Sequence, residues 1–255
     1  MRLLHVVCAA AASLALVAPG AARADDQETA IGQQIFAQLD ANNEIVTRPN
    51  PLYEVLDPIA AQIKTIADPQ YEYRFSFIIV NDASANAYAA PGGNVYVTEG
   101  LFGFVQNREE FASVLCHEAA HDIDHDLIRS AAKDQRLATL IGLIGAFSGA
   151  IKSARGLYTE NLAYALQVNS YSFDVENIAD TTGADICAEA GFNPWGMIWL
   201  FENNFRAGTG ASMEALSDPI SQQHRIANLE AHFEGNPQLF GAYSSNGATA
   251  KVLAP

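Results

Sequence analysis

The pattern of apolar and polar positions changes period several times along the 255-residue chain. From Asp25 to about Asp40, and again from Glu54 to Ala67, the pattern is helical, and the breaker-rich Arg48-Pro49-Asn50-Pro51 separates the two segments. Tyr71 to Val80 is rich in aromatic and β-branched residues and predicts a strand. Asn86–Ala90 and Asn94–Thr98 flank Pro91-Gly92-Gly93 and predict a β-hairpin. Asn107 followed by Glu110 has the form of a capping box, opening a helix that runs to about Ala132. A long helical pattern ends near Ala190, stopped by Gly191 and Pro194; shorter helical pieces come after it, and the tail after Gly241 reads as loose. No internal repeat, heptad array or low-complexity tract interrupts this order.

Two apolar runs need separate readings. At the start, Arg2 precedes the alanine-rich run Leu3–Val17, and Ala22-Arg23-Ala24 places small residues where a signal peptidase needs them. Residues 1–24 are therefore expected to be an export signal, with the rest working in the periplasm or outside the cell, although an uncleaved anchor would look similar. The second run, Leu137–Ile151, is 15 residues without a charge, short of the roughly 20 needed to span a bilayer. Its glycines Gly142, Gly145 and Gly149 suit a tightly packed helix, buried over the domain or touching a membrane or partner.

Charge narrows the partners. Lys+Arg total 14 against 29 Asp+Glu, and Arg2 and Arg23 would leave with the signal. Such an acidic chain gains no counterion release on nucleic acid and is repelled by anionic lipid headgroups. A hydrophobic content of 49% with 17% charged residues places it among folded globular proteins. In an oxidising compartment the remaining cysteines, Cys116 and Cys187, have the option of pairing. In a chain this long they are as often buried small apolar residues, and the reading leans to free and buried.

The chemistry gathers at His117-Glu118-Ala119-Ala120-His121. On a helix the two histidines lie about 40° apart on one face, so both imidazoles can converge on one metal while Glu118 takes a proton from water. Leu115, Ala119 and Ile123 form an apolar arc roughly opposite, so one face is expected to pack and the other to face a cleft. A hydrolytic zinc site needs a third protein ligand and an open fourth position. Glu176 is the best candidate, and Asp180, one turn on, would accept a ligand histidine's free ring N–H. Val175, Ile178, Ala179 and Ile186 fall on the other face of that helix, available for packing. His125 reads as supporting or exposed, and His224 and His232 as structural.

These segments together resemble the gluzincin metallopeptidase family of HtpX, BepA and the CAAX prenyl endopeptidases, an M48-like peptidase family. The likeness runs from Asn86-Ala87-Tyr88-Ala89-Ala90-Pro91-Gly92-Gly93 through Val95-Tyr96-Val97-Thr98, Gly100-Leu101, Glu109-Glu110 and Val114-Leu115 to the His117–His121 motif. It continues with Glu176-Asn177-Ile178-Ala179-Asp180, Gly183 and Ala190-Gly191-Phe192-Asn193-Pro194, covering roughly residues 28–232. The resemblance implies an α+β, mostly helical, zincin-type metallopeptidase with a small sheet whose edge strand borders the active-site helix. It implies one Zn²⁺ per chain on His117, His121 and Glu176, with Glu118 as general base and acid. Asn86, Ala87, Tyr88 and Ala89 would form the strand that aligns an extended protein or peptide substrate. The domain would span 25–240, with a flexible tail at 241–255.

The sequence also departs from the family pattern. Phe173 stands at a common arginine position and Glu99 at a frequent basic one, while Leu216-Ser217-Asp218-Pro219 replaces an expected His-Pro. Gln223-His224-Arg225-Ile226 resembles the family residues that normally come after that His-Pro. Arg225 is thereby a candidate transition-state stabiliser or cleft-wall residue, against a surface arginine paired with one of many acids. Two other readings are a chaperone-like substrate-binding protein with weak or silent proteolysis and a structural zinc domain. The second would need neither Glu118 nor an open position.

Overall fold

A computed structural model describes residues 24–131, 171–207 and 219–254. All but the last residue of the expected export signal 1–24 and the apolar stretch 137–151 lie outside the described residues, as do residues 216–218 and the predicted helix before residue 171. In chain order come α1 (Ala24–Ala41), α2 (Pro51–Ala67), β1 (Ser76–Val80), β2 (Ala87–Ala90), β3 (Asn94–Thr98), α3 (Glu99–Phe104), α4 (Arg108–Ile123) and α5 (Asp126–Ala131). Further along are α6 (Phe173–Glu189), α7 (Gly196–Ala207), α8 (Pro219–Gly235) and α9 (Pro237–Phe240). Among the described residues this is a mostly helical fold with one three-stranded mixed sheet, in line with the expected small sheet on a mostly helical scaffold.

The sheet order is β1-β3-β2. β1 runs parallel to β3, with Ser76 opposite Asn94, and β2 runs antiparallel to β3, with Ala87 opposite Val97. Gly92 and Gly93 close the hairpin at φ +90° and +86°, a region that favours glycine. Alternate residues serve two cores. Phe77, Ile79, Ala87, Val95 and Val97 belong to the main core with residues of α2 and α4, while Val80, Tyr88, Ala90 and Tyr96 meet Ile31, Ile35 and Leu39 of α1. Burial on both faces explains why these strands read as nearly continuous apolar runs.

The strand predicted from Tyr71 begins only at Ser76. Just before it, the Phe75 N–H donates to Asp68 Oδ1 at 2.8 Å instead of to a ladder, and Tyr71 turns its hydroxyl to Glu28. Residues 241–254, read as loose, are held to the domain. Trp199 Nε1 donates to the Ser245 carbonyl at 2.9 Å, the Lys251 N–H donates to Glu109 at 2.7 Å, and the Arg108 N–H donates to the Lys251 carbonyl at 2.8 Å.

Helix α4 is the centre of the molecule. Its start is the expected capping box: Asn107 accepts from the Glu110 N–H at 2.9 Å, and Glu110 accepts from the Gln106 N–H and from Asn107 Nδ2, both at 2.7 Å. Every residue from Glu109 to Asp122 is buried, which corrects the expected division into a packed face and a cleft face. The helix also stops earlier than predicted. Asp124 caps it and His125 adopts φ 53°, so α5 starts a new direction at Asp126. The packing of α6 on α4 depends on Gly183, where an added Cβ would lie 3.0 Å from the Cα and N of His117. Cys116 and Cys187, both fully buried, form a disulfide between these two helices, which corrects the expectation of free thiols. Two positions 71 residues apart carried no sequence signal of contact, and only the α4–α6 approach makes them neighbours.

Candidate metal centre

Helix α4 supplies His117, Glu118 and His121; α6 supplies Glu176 and Asp180; α8 supplies Arg225. The close helix approach at Gly183 lets the α6 carboxylates reach the α4 imidazoles. The Nε2 atoms of His117 and His121 lie 3.1 Å apart. Glu176 Oε2 is 3.5 Å from His117 Nε2, and its Oε1 is 3.8 Å from His121 Nε2. A tetrahedral ion with ligand bonds near 2.0–2.2 Å sets its donors roughly 3.3 Å apart. The observed separations bracket that value, and two imidazoles with one carboxylate are suitable donors, so the three residues fit a divalent metal.

The surroundings hold these donors in place. Asp180 Oδ1 lies 3.0 Å from His117 Nδ1, the partner anticipated from the helix turn, although without the alignment of a straight hydrogen bond. Arg225 is buried and not at the surface. Its Nε and Nη2 donate to Asp180 Oδ2 and Oδ1, each at 2.7 Å, and its Nη1 lies 3.0 Å from Glu176 Oε2. Burial alone would raise Glu176, but the hydrogen bond and charge of His117, then Arg225 and His121, bring it down to about 2. Asp180 is likewise held well below the usual carboxylate range: burial is outweighed by Arg225 and then by His117. Burial lowers the His117 imidazole, yet Asp180 and Glu176 win and raise it to about 10.

Glu118 is buried beside the imidazoles and pushed up, by burial first, against the opposing influence of His117 and His121. Its Oε2 accepts the Ala89 N–H at 3.0 Å, so the free edge of β2 runs along α4. The neighbouring Ala87 N–H is taken by Asn86 Oδ1 at 3.0 Å, and Tyr88 stacks on Tyr96 with centroids 5.2 Å apart. Of the other expected residues, His224 meets the Phe173 ring at 5.8 Å and His232 Nε2 lies 2.8 Å from Asp185. Ile178, expected to pack, is 52% exposed.

Two neighbours of the site belong to no motif in the sequence. Asp126 Oδ2 lies 2.9 Å from His121 Nδ1, and the Tyr171 ring sits 4.4 Å from that of His121. The only sequence signal for Asp126 is its place five residues past His121, where an unbroken helix would carry it away.

A buried helix with two histidines and a glutamate, closed by a carboxylate from a second helix, defines a zincin-type metallopeptidase domain. Residues 48–233 match the family described as Peptidase family M48, and the chain belongs to that family. Among curated relatives it is 31% identical over 188 residues to the beta-barrel assembly-enhancing protease of Yersinia pestis, covering 70% of this chain and 37% of that protein. It is 28% identical to the protein of the same name from Escherichia coli (strain K12), over 69% of this chain and 37% of that one. It is 27% identical to the mitochondrial metalloendopeptidase OMA1 of Saccharomyces cerevisiae, over 79% of this chain and 62% of the relative. The chain thus spans well under half the length of these two assembly-enhancing proteases.

Proposed function

We propose that the chain is an exported zinc endopeptidase that hydrolyses peptide bonds in proteins of the cell envelope, misfolded or membrane-associated ones among them. The observation that carries this reading is the convergence of His117, His121 and Glu176 donors beside a buried Glu118. Two imidazoles and a carboxylate suit Zn²⁺, one ion per chain, with a position left for water or substrate. When bound, the ion supplies a Lewis acid that polarises the scissile carbonyl and lowers the pKa of water.

The residues then have distinct tasks. Glu118, anchored by the Ala89 N–H through Oε2, keeps Oε1 for the proton of the attacking water and returns that proton to the leaving amine nitrogen. Its raised pKa suits a group that must both take and give a proton near neutral pH. Asp180 orients His117. Arg225, engaged by Asp180 through Nε and Nη2 and by Glu176 through Nη1, is assigned to holding those carboxylates rather than to stabilising an oxyanion. The edge of β2 from Asn86 to Ala89 would align an extended substrate beside Glu118 through its carbonyl oxygens, since the Ala89 and Ala87 N–H groups stay with Glu118 and Asn86. Among the described residues no helix is long and apolar enough to cross a membrane. The envelope setting rests on the export segment and on the names of the bacterial relatives.

Metal analysis with cleavage of an unfolded model protein tests the proposal. One zinc per chain, with cleavage lost on chelation and restored by zinc, is the expected result. Retention of unfolded chains without cleavage would establish the chaperone-like reading instead.

A further inference from the structure

Helix α1 begins outside the family-matched residues 48–233, yet its Glu28 reaches His125, just past the end of α4. Glu28 is 2% exposed. Its Oε2 accepts the Tyr71 hydroxyl at 2.6 Å, and its Oε1 lies 2.6 Å from His125 Nδ1. Tyr71 in turn accepts the Gly92 N–H at 3.2 Å, joining the hairpin turn to the same cluster. On its outer side, His125 Nε2 is 3.7 Å from Glu72.

His125 is also the residue with φ 53° at the break between α4 and α5. The left-handed region is unfavourable for a non-glycine residue and persists where the surroundings enforce it. Here it turns the chain so that the next residue, Asp126, faces back toward His121 at 2.9 Å. A carboxylate on Nδ1 fixes the tautomer that presents Nε2 to a metal and sets the plane of the ring.

We infer that Asp126 and Glu28 are positioning residues for His121, with Asp126 holding its ring directly and Glu28 of α1 holding the His125 turn that places Asp126. This inference rests on the reading of His117, His121 and Glu176 as metal ligands. The bland alternative is that Glu28 only anchors α1, which already buries Ile31, Ile35 and Leu39 against the sheet.

The two roles separate in metal affinity, measured on the folded, metal-free full chain by chelator competition for zinc and by the visible spectrum of bound Co²⁺. Asp126→Asn is expected to weaken zinc binding about 10–100-fold and to alter the cobalt spectrum, the range typical of lost outer partners. Glu28→Gln is expected to weaken it about 3–10-fold, and the double variant to bind no more weakly than Asp126→Asn, because both changes act through one contact. His125→Gly, which relieves the backbone while removing the imidazole, should reproduce Glu28→Gln, and it supplies the answer if Glu28→Gln fails to fold. Wild-type affinity and spectrum in folded Asp126→Asn would overturn the inference and leave the metal reading standing. Fully additive losses in the double variant would overturn the link through Glu28. A wild-type chain that binds no zinc would overturn both readings.

Discussion

Arg225 is 3% exposed and faces two carboxylates, with one full fork of hydrogen bonds to Asp180 and one contact to Glu176. Removing it leaves two buried anions beside each other. Arg225→Ala should therefore cost about 3–5 kcal/mol in urea unfolding, the range for stripping one partner from a buried ion pair. Arg225→Lys keeps a charge but loses the fork, so its stability should fall between wild type and Arg225→Ala. Titration of the metal-free protein gives a second prediction. Glu176 is held at about 2 against an ordinary 4.5, so its stabilisation is complete above about pH 4.5 and fades as pH falls toward 2. His117 is raised from 6.5 to about 10, so its stabilisation is complete below about pH 6.5 and fades as pH rises through 10. Unfolding of the metal-free chain across pH should show greatest stability between about pH 4.5 and 6.5, and Glu176→Gln should flatten the acid limb.

His117, Glu118 and His121 were legible in the sequence because they are local: a helix period alone puts the two imidazoles on one face. Glu176 and Asp180 were legible only as a turn-spaced pair, and the α4–α6 approach at Gly183 made them partners of the histidines. The partnerships of Asp126 and Glu28 were not legible, because one depends on a left-handed residue and the other on a helix nearly 100 residues upstream.

At the scale of elements, the two helices that carry the donors are joined twice, by close packing at Gly183 and by the Cys116–Cys187 disulfide immediately before His117. A link across 71 residues stabilises by about 4 kcal/mol in the chain-entropy model. The double variant Cys116→Ser/Cys187→Ser should lower the Tm by on the order of 10 °C, and it should weaken zinc binding, since the donors straddle the lost link. An unchanged Tm would show that the thiols are free in solution. Helix ends were marked in the sequence by Asn107 and Gly191 and the hairpin by its glycines, whereas α2 starts at Pro51, ahead of the expected Glu54, because Asn50 caps it. The break at His125 was not, because nothing in Asp124-His125-Asp126 forbids a helix from continuing.

For the whole molecule, the sheet serves as a partition. One face belongs to the core around α4 and the other to α1, so the edge strand β2 is held in register against Glu118 from both sides. Few of the 29 acidic residues take part in the centre, and the excess of acidic over basic residues favours solubility. Family membership, the donor geometry and the buried Glu118 all support the proposed metal-dependent peptide hydrolysis.

The most direct test is to compare wild type with Glu118→Gln for zinc content and for cleavage of an unfolded protein. The predicted result is one zinc per chain in both proteins and a loss of cleavage of about 10²–10⁴-fold in the variant, the contribution expected of a positioned general base. Equal cleavage by a zinc-loaded Glu118→Gln would contradict the assignment of Glu118 as the general base.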